Sequence, residues 1–138
     1  SDRQKLEELA RTLSVDSSVY FHGHYNHRAD IPDIVADTHI FTYTSNYEGG
    51  PCFTLLELLQ AGRYVVAARV GGIPDIYEGR PDIARLVSKQ DEEGIFYALQ
   101  NPLERVRSGG VDPCIIRHRY DEEFDMKAAH KSWMHVLR

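Results

Sequence analysis

The sequence predicts an α/β fold, a Rossmann-like parallel sheet flanked by helices, and three observations carry that expectation. Short β-branched or aromatic runs alternate with segments of helical periodicity, the connections between them are short, and one run, Tyr64-Val65-Val66-Ala67-Ala68, is apolar without interruption. A strand apolar on both sides needs cover on both faces, as in a parallel sheet between layers of helix. The chain has 138 residues, about one domain on a prior of roughly 100 to 200 residues each. A single domain or part-domain over residues 1–138 is therefore expected.

Leu6, Leu9, Ala10 and Leu13 recur at helical spacing in a charged segment, which predicts an amphipathic surface helix over 3–13. Val19-Tyr20-Phe21, closed by His22-Gly23, predicts a strand ending in a turn. A short helix over 29–37 follows, with Ile31, Ile34 and Val35 on one side and Pro32 in a first turn that tolerates it. His39 to Thr44 has the β-branched and aromatic composition of a strand. After the loop 45–52, the leucine-rich run from Phe53 to Ala61, closed by Gly62, predicts a buried helix. The Tyr64 to Ala68 strand comes next, then a Gly71-Gly72-Ile73-Pro74 break that starts a short helix through Tyr77, then a weaker strand over 84–87. Helices are expected over 92–99 and 103–106, the second ending at Ser108-Gly109-Gly110, and a C-terminal amphipathic helix over 121–138. There is no internal repeat and no low-complexity linker.

Composition excludes several classes. Lys and Arg number 16 against 21 Asp and Glu, a formal net charge of -5, which argues against affinity drawn from neutralising nucleic-acid phosphates. The two cysteines, Cys52 and Cys114, have no metal-type spacing and form no disulfide framework, so the cytoplasm is the expected compartment. No apolar run approaches the ~20 residues that span a bilayer, and the first residues lack a signal-peptide apolar region. Peripheral contact with the cytoplasmic face of a membrane stays open.

In an open α/β sheet, ligands bind outside the carboxyl ends of the strands. The segment after the His39 strand, Ser45-Asn46-Tyr47-Glu48-Gly49-Gly50-Pro51-Cys52, feeds directly into the leucine-rich helix. Gly49 and Gly50 let the backbone approach a ligand, and the unpaired N–H groups of a helix start favour an anion such as a phosphate. Glu48 and Glu57 flank that turn, and an ionised carboxylate, acceptor only, suits a sugar ring or a ribose diol.

The ordered set Val19 to Gly23, Asp30-Ile31-Pro32, Thr44-Ser45, Tyr47-Glu48-Gly49-Gly50-Pro51 with Leu55-Leu56-Glu57, Ala61 to Ala67, and Gly71-Gly72-Ile73-Pro74-Asp75-Ile76 resembles the C-terminal, donor-binding domain of family-4 (group 1) retaining glycosyltransferases of the GT-B fold. The likeness runs from about residue 18 to about 88. It implies transfer of a hexosyl group from a nucleotide-sugar donor, such as a UDP- or GDP-sugar, to a glycan or lipid-linked acceptor, with retention of configuration and with neither a bound metal nor a cofactor. It also implies site roles. Glu48 contacts the transferred sugar as the catalytic-site residue, Glu57 binds the ribose hydroxyls, and the backbone of Gly49, Gly50, Cys52, Phe53 and Thr54 meets sugar or phosphate. Pro51 has no N–H to offer. Eight residues, where the family pattern has seven, separate Glu48 from Glu57. An extra residue within a helix would turn Glu57 by ~100°, so it is placed in the Gly-Gly-Pro-Cys turn.

Structural roles compete with these. Thr54-Leu55-Leu56-Glu57 fits a capping box that would engage Glu57 with its own helix. Glu48-Gly49-Gly50 can be a solvated turn, and Gly71-Gly72 a tight strand-to-helix connection. His22, His24 and His27 lack a carboxylate or Cys at ligand spacing and read as turn or solvated histidines. Trp133 reads as packing, and Cys52 as a spacer rather than a nucleophile.

Two other function classes remain open: a non-catalytic nucleotide- or sugar-binding or interaction module with a GT-B-like half-fold, and a sugar-nucleotide epimerase, whose catalytic pattern is not evident. The family's diphosphate-clamping Arg and Lys follow its first strand, and nothing before Val19 resembles that unit. Two early strands of the six-stranded sheet are accordingly expected to be absent. In the order 3-2-1-4-5-6 they would lie between the Val19 and His39 strands. A fragment of a longer two-domain enzyme, inactive alone and reaching its acceptor through an N-terminal domain, is the expectation.

Overall fold

The computed structural model describes residues 2–24, 26–50, 52–125 and 127. By contact density the chain forms two compact units, residues 1–34 and 35–138.

In the first unit, α1 spans Asp2–Thr12 and is followed by a 3₁₀ turn, Asp16–Ser18. Val19 leaves that turn with extended dihedrals, φ -114° and ψ 126°, yet the predicted Val19 to Phe21 strand does not form. A strand exists through its ladder, and among the described residues none pairs with this segment. Helix α2, His27–Ala36, begins two residues earlier than predicted. Asn26 accounts for the earlier start: its side chain accepts from the Ala29 amide at 3.4 Å while its own amide donates to Asp30 Oδ2 at 2.7 Å. Such reciprocal bonds satisfy orphan N–H groups at a helix start. Pro32 consequently falls in the second turn of α2, not the first.

The second unit holds the sheet. Strands β1 (Ile40–Tyr43), β2 (Tyr64–Ala68) and β3 (Ala84–Val87) are parallel, in the order β1-β2-β3, with Phe41 opposite Val65 and Val65 opposite Ala84. Helix α3 (Phe53–Gln60) connects β1 to β2, and α4 (Ile73–Tyr77) connects β2 to β3. The chain is thus the parallel α/β arrangement that the sequence predicts. All five β2 residues are buried, as its unbroken apolar run requires. Leu55, Leu58 and Leu59 of α3 join β2, Ile73, Ile76, Tyr77, Ile83 and Ile116 in one core.

Two expectations beyond β3 need correction. The segments 92–99 and 103–106 are one helix, α5 (Glu92–Arg107), running through Pro102. Proline interrupts one backbone hydrogen bond, but the helix continues through it with the Pro102 ring fully buried. Helix α6, Pro113–Glu123, was not foreseen: Asp112 caps it by accepting from the Cys114 amide at 2.8 Å, and Pro113 occupies its first turn. Asp121 therefore lies in the last turn of a helix rather than at the start of one. The remainder of the predicted 121–138 helix, with His130, Trp133 and His135, lies outside the described residues apart from 122–125 and 127. Among the described residues no helix is long and apolar enough to cross a membrane.

Candidate functional site

Because β1 and β2 are parallel neighbours, the loops that leave their carboxyl ends open on the same edge of the sheet. The first loop, residues 44–52, carries Glu48, Gly49, Gly50 and Cys52; the second, residues 69–72, carries Gly71 and Gly72. The two touch. Gly71 has φ +53°, and a Cβ there would lie 2.0 Å from the Glu48 carbonyl oxygen. Only glycine combines that left-handed backbone with so close an approach. Gly71 is therefore the turn residue that its sequence context suggested, and it also seats the backbone of Glu48. No sequence pattern marked it for that second task, since the contact joins residues 23 positions apart.

The Glu48 side chain is half-buried, and its Oε2 accepts a hydrogen bond from the Tyr43 hydroxyl at 2.7 Å. Tyr43 is the last residue of β1. Its phenol is held well above the ordinary value near 10, first by the bond to Glu48, then by burial, then by the Cys52 sulfur beside it. Sequence reasoning passed over Tyr43 as one more aromatic strand residue, and a β-branched and aromatic strand contains no signal that would single it out.

Gly49 and Gly50 behave differently from Gly71. Neither takes a left-handed backbone, so the turn does not require glycine at either position. A Cβ on Gly50 would meet nothing within 4 Å, and one on Gly49 would meet the Tyr47 ring at ordinary contact distance. What these glycines supply is open space beside the backbone.

Cys52 is 5% exposed and stands at the N-cap of α3. Its carbonyl accepts from the Leu55 and Leu56 amides, and its side chain makes no capping bond. The helix begins at Phe53, which places Thr54 inside the first turn, and the Thr54 to Glu57 capping box does not form. Phe53 is 75% exposed, in contrast to the buried Leu55 two residues on. Glu57 sits in the second turn, half-buried, with Oε2 shielded from solvent. Helix α3 is regular from Phe53 to Gln60, so any additional residue between the two carboxylates belongs to the loop. The structure thus gathers Glu48, Gly49, Gly50 and the start of α3 along one edge. Two cavities, of ≈240 and ≈410 Å³, share Arg69 and Arg85, and none of the seven predicted residues lines either.

A family model described as glycosyl transferases group 1 matches residues 1–105. The chain belongs to the group 1 glycosyl transferases. Among curated proteins, a subunit of human phosphatidylinositol N-acetylglucosaminyltransferase is 27% identical over 104 residues, covering 75% of this chain and 20% of that protein. Among solved structures, HepE from Anabaena in complex with UDP aligns with a TM-score of 0.78 and 19% identity, over 97% of this chain and 36% of that one. Sucrose-phosphate synthase from Thermosynechococcus elongatus aligns at 0.75 and 22%, over 99% and 34%. A glycosyltransferase from Rickettsia africae aligns at 0.76 and 14%, over 97% and 35%. This group 1 chain has the architecture of part of a GT-B glycosyltransferase, and it spans about a third of those structures and a fifth of the curated relative.

Proposed function

We propose that this chain is the nucleotide-sugar-binding part of a retaining hexosyltransferase, with the donor held where the 44–52 loop enters α3. The observation that carries the reading is the loop itself. Glu48 is held at the carboxyl end of β1, and it is followed by two glycines that the backbone does not need and by a helix start. Glycines that leave space open beside a carboxylate and a helix N-terminus suit a ligand with hydroxyls at one end and phosphates at the other.

In this reading Glu48 accepts hydrogen bonds from hydroxyls of the transferred sugar, and Glu57 accepts from the ribose diol. The amides of Gly49, Gly50, Cys52, Phe53 and Thr54 face the sugar and the diphosphate. During transfer the bond from the anomeric carbon to the diphosphate oxygen breaks, and the electron pair leaves with the phosphate. The acceptor oxygen bonds to the anomeric carbon on the same face, and its proton ends on the departing diphosphate. Amides already aimed at that oxygen stabilise the charge as it develops, without reorganisation. Acceptor binding, of a glycan or a lipid-linked molecule, is assigned to the portion of the relatives' length that this chain does not span. Transfer by this chain alone is not expected.

UDP is the first nucleotide to test, because the HepE neighbour was solved with UDP. The reading is tested by titrating the chain with UDP, GDP and ADP and their sugar esters in a calorimeter. Binding of one diphosphate class is the expected result. Glu57→Ala should weaken that nucleotide roughly 10- to 100-fold, the equivalent of a lost hydrogen bond to a charged group. A Glu57→Ala chain that binds as tightly as the wild type removes the ribose assignment, and no binding by the wild type to any of the ligands overturns donor binding by this chain and favours a truncated fragment or an interaction module.

A further inference from the structure

The donor loop is anchored at a point that the proposed roles of its residues do not explain. Glu48 is restrained at both ends. Its carbonyl abuts Gly71, and its carboxylate receives the Tyr43 hydroxyl at 2.7 Å. Tyr43 and Glu48 are five residues apart, so the bond ties the middle of the loop back to the last residue of β1. A carboxylate on an exposed loop ordinarily rotates among several rotamers, and fixing it costs entropy when a ligand binds. Here the restraint exists before any ligand arrives.

We propose that Tyr43 is a positioning residue of the donor site: its hydroxyl occupies Glu48 Oε2 and so orients the carboxylate, presenting Oε1 to the hydroxyls of the donor sugar. The inference rests on the donor-site reading above and adds a residue that the reading does not contain. An ionised carboxylate accepts only, and a phenol that keeps its proton is a fixed donor to it. The phenol does keep its proton here, since the adjoining carboxylate, burial and the Cys52 sulfur all oppose its ionisation. Tyr43 is half-buried against the core, so its ring is packed while its hydroxyl reaches the loop.

Packing and positioning separate in one experiment, because Tyr43→Phe keeps the ring and removes only the hydroxyl. Wild type, Tyr43→Phe, Glu48→Ala and the double variant are titrated by calorimetry with UDP, GDP and ADP, each free and as its glucose, mannose or N-acetylglucosamine ester. The expected result is that Tyr43→Phe leaves the free diphosphate within about twofold and weakens the sugar ester about 5- to 10-fold. Added to Glu48→Ala it should cause no further loss, the non-additivity of two groups that act as a unit. Equal weakening of both ligands, no weakening of either, or a loss that adds to that of Glu48→Ala overturns the proposal. Wild type that binds no ester removes the donor reading and this inference together, whereas a sugar-specific loss in Glu48→Ala without one in Tyr43→Phe removes this inference alone. If Tyr43→Phe does not fold, loss of the hydroxyl alone has unfolded the chain, which assigns the phenol to the core and overturns the proposal.

Discussion

Gly71 and Gly50 stand on facing loops, and their backbones make opposite demands. At Gly71 a methyl group meets the Glu48 carbonyl on a backbone at φ +53°, so Gly71→Ala should destabilise by about 1–3 kcal/mol and disturb the 44–52 loop with it. At Gly50 a methyl group meets only space, and Gly50→Ala should change stability by no more than about 0.5 kcal/mol. If the space is the donor's, the same substitution weakens nucleotide-sugar binding. Thermal melts paired with calorimetry read both outcomes.

Tyr77 offers a test by pH. Its hydroxyl donates to the Leu55 carbonyl at 2.7 Å in the core, and burial, with Cys52 nearby, raises its ionisation above the ordinary value of 10. The folded state therefore holds the phenolic proton longer than the unfolded state does. Stability from this group is complete below pH 10 and declines above it, by up to ~1.4 kcal/mol per pH unit. Denaturation followed between pH 9 and 11 should show the decline in the wild type and a shallower one in Tyr77→Phe.

Among the elements, α3 joins core and site. Its Leu55, Leu58 and Leu59 are buried, while Phe53 and Glu57 belong to the side of the helix and loop where the ligand is proposed. Leu58→Ala should cost about 2–5 kcal/mol, the transfer term plus the cavity, and weaken ligand binding only through the folded fraction. The far end of α3 is as constrained as its start. Gly62 has φ +72°, and a Cβ there would lie 2.4 Å from the Pro113 carbonyl, at the start of α6. Asp112→Ala, which removes the α6 cap, should cost about 1 kcal/mol, measurable in a chemical denaturation series.

At the scale of the molecule, periodicity and residue type were enough for β1, α3, β2, α4 and β3, because each of these buries a surface whose pattern the sequence itself displays; α1 forms where its periodicity places it, although Leu6, Leu9 and Leu13 stay exposed and only Ala10 is buried. The loop 44–52 with Glu48, and the helix start that carries Glu57, were equally legible, since a strand, a glycine turn and a helix start are all local features. The same reasoning misjudged Val19 to Phe21, whose extended backbone becomes a strand only beside a partner. It split α5 at Pro102, where burial outweighs one lost hydrogen bond, and it overlooked α6 although Asp112-Pro113 carries a start signal. Residue order and side-chain type by themselves determined the parallel α/β class, the central buried strand and the glycine-bearing loop between β1 and α3, all of which follow from short-range pattern and the need to bury apolar surface. Only the tertiary structure decided that Gly71 meets Glu48 and that Tyr43 holds its carboxylate. Those contacts depend on where two strand ends fall in space, on distances of a few ångströms between loops, and hydrophobic periodicity carries no record of them.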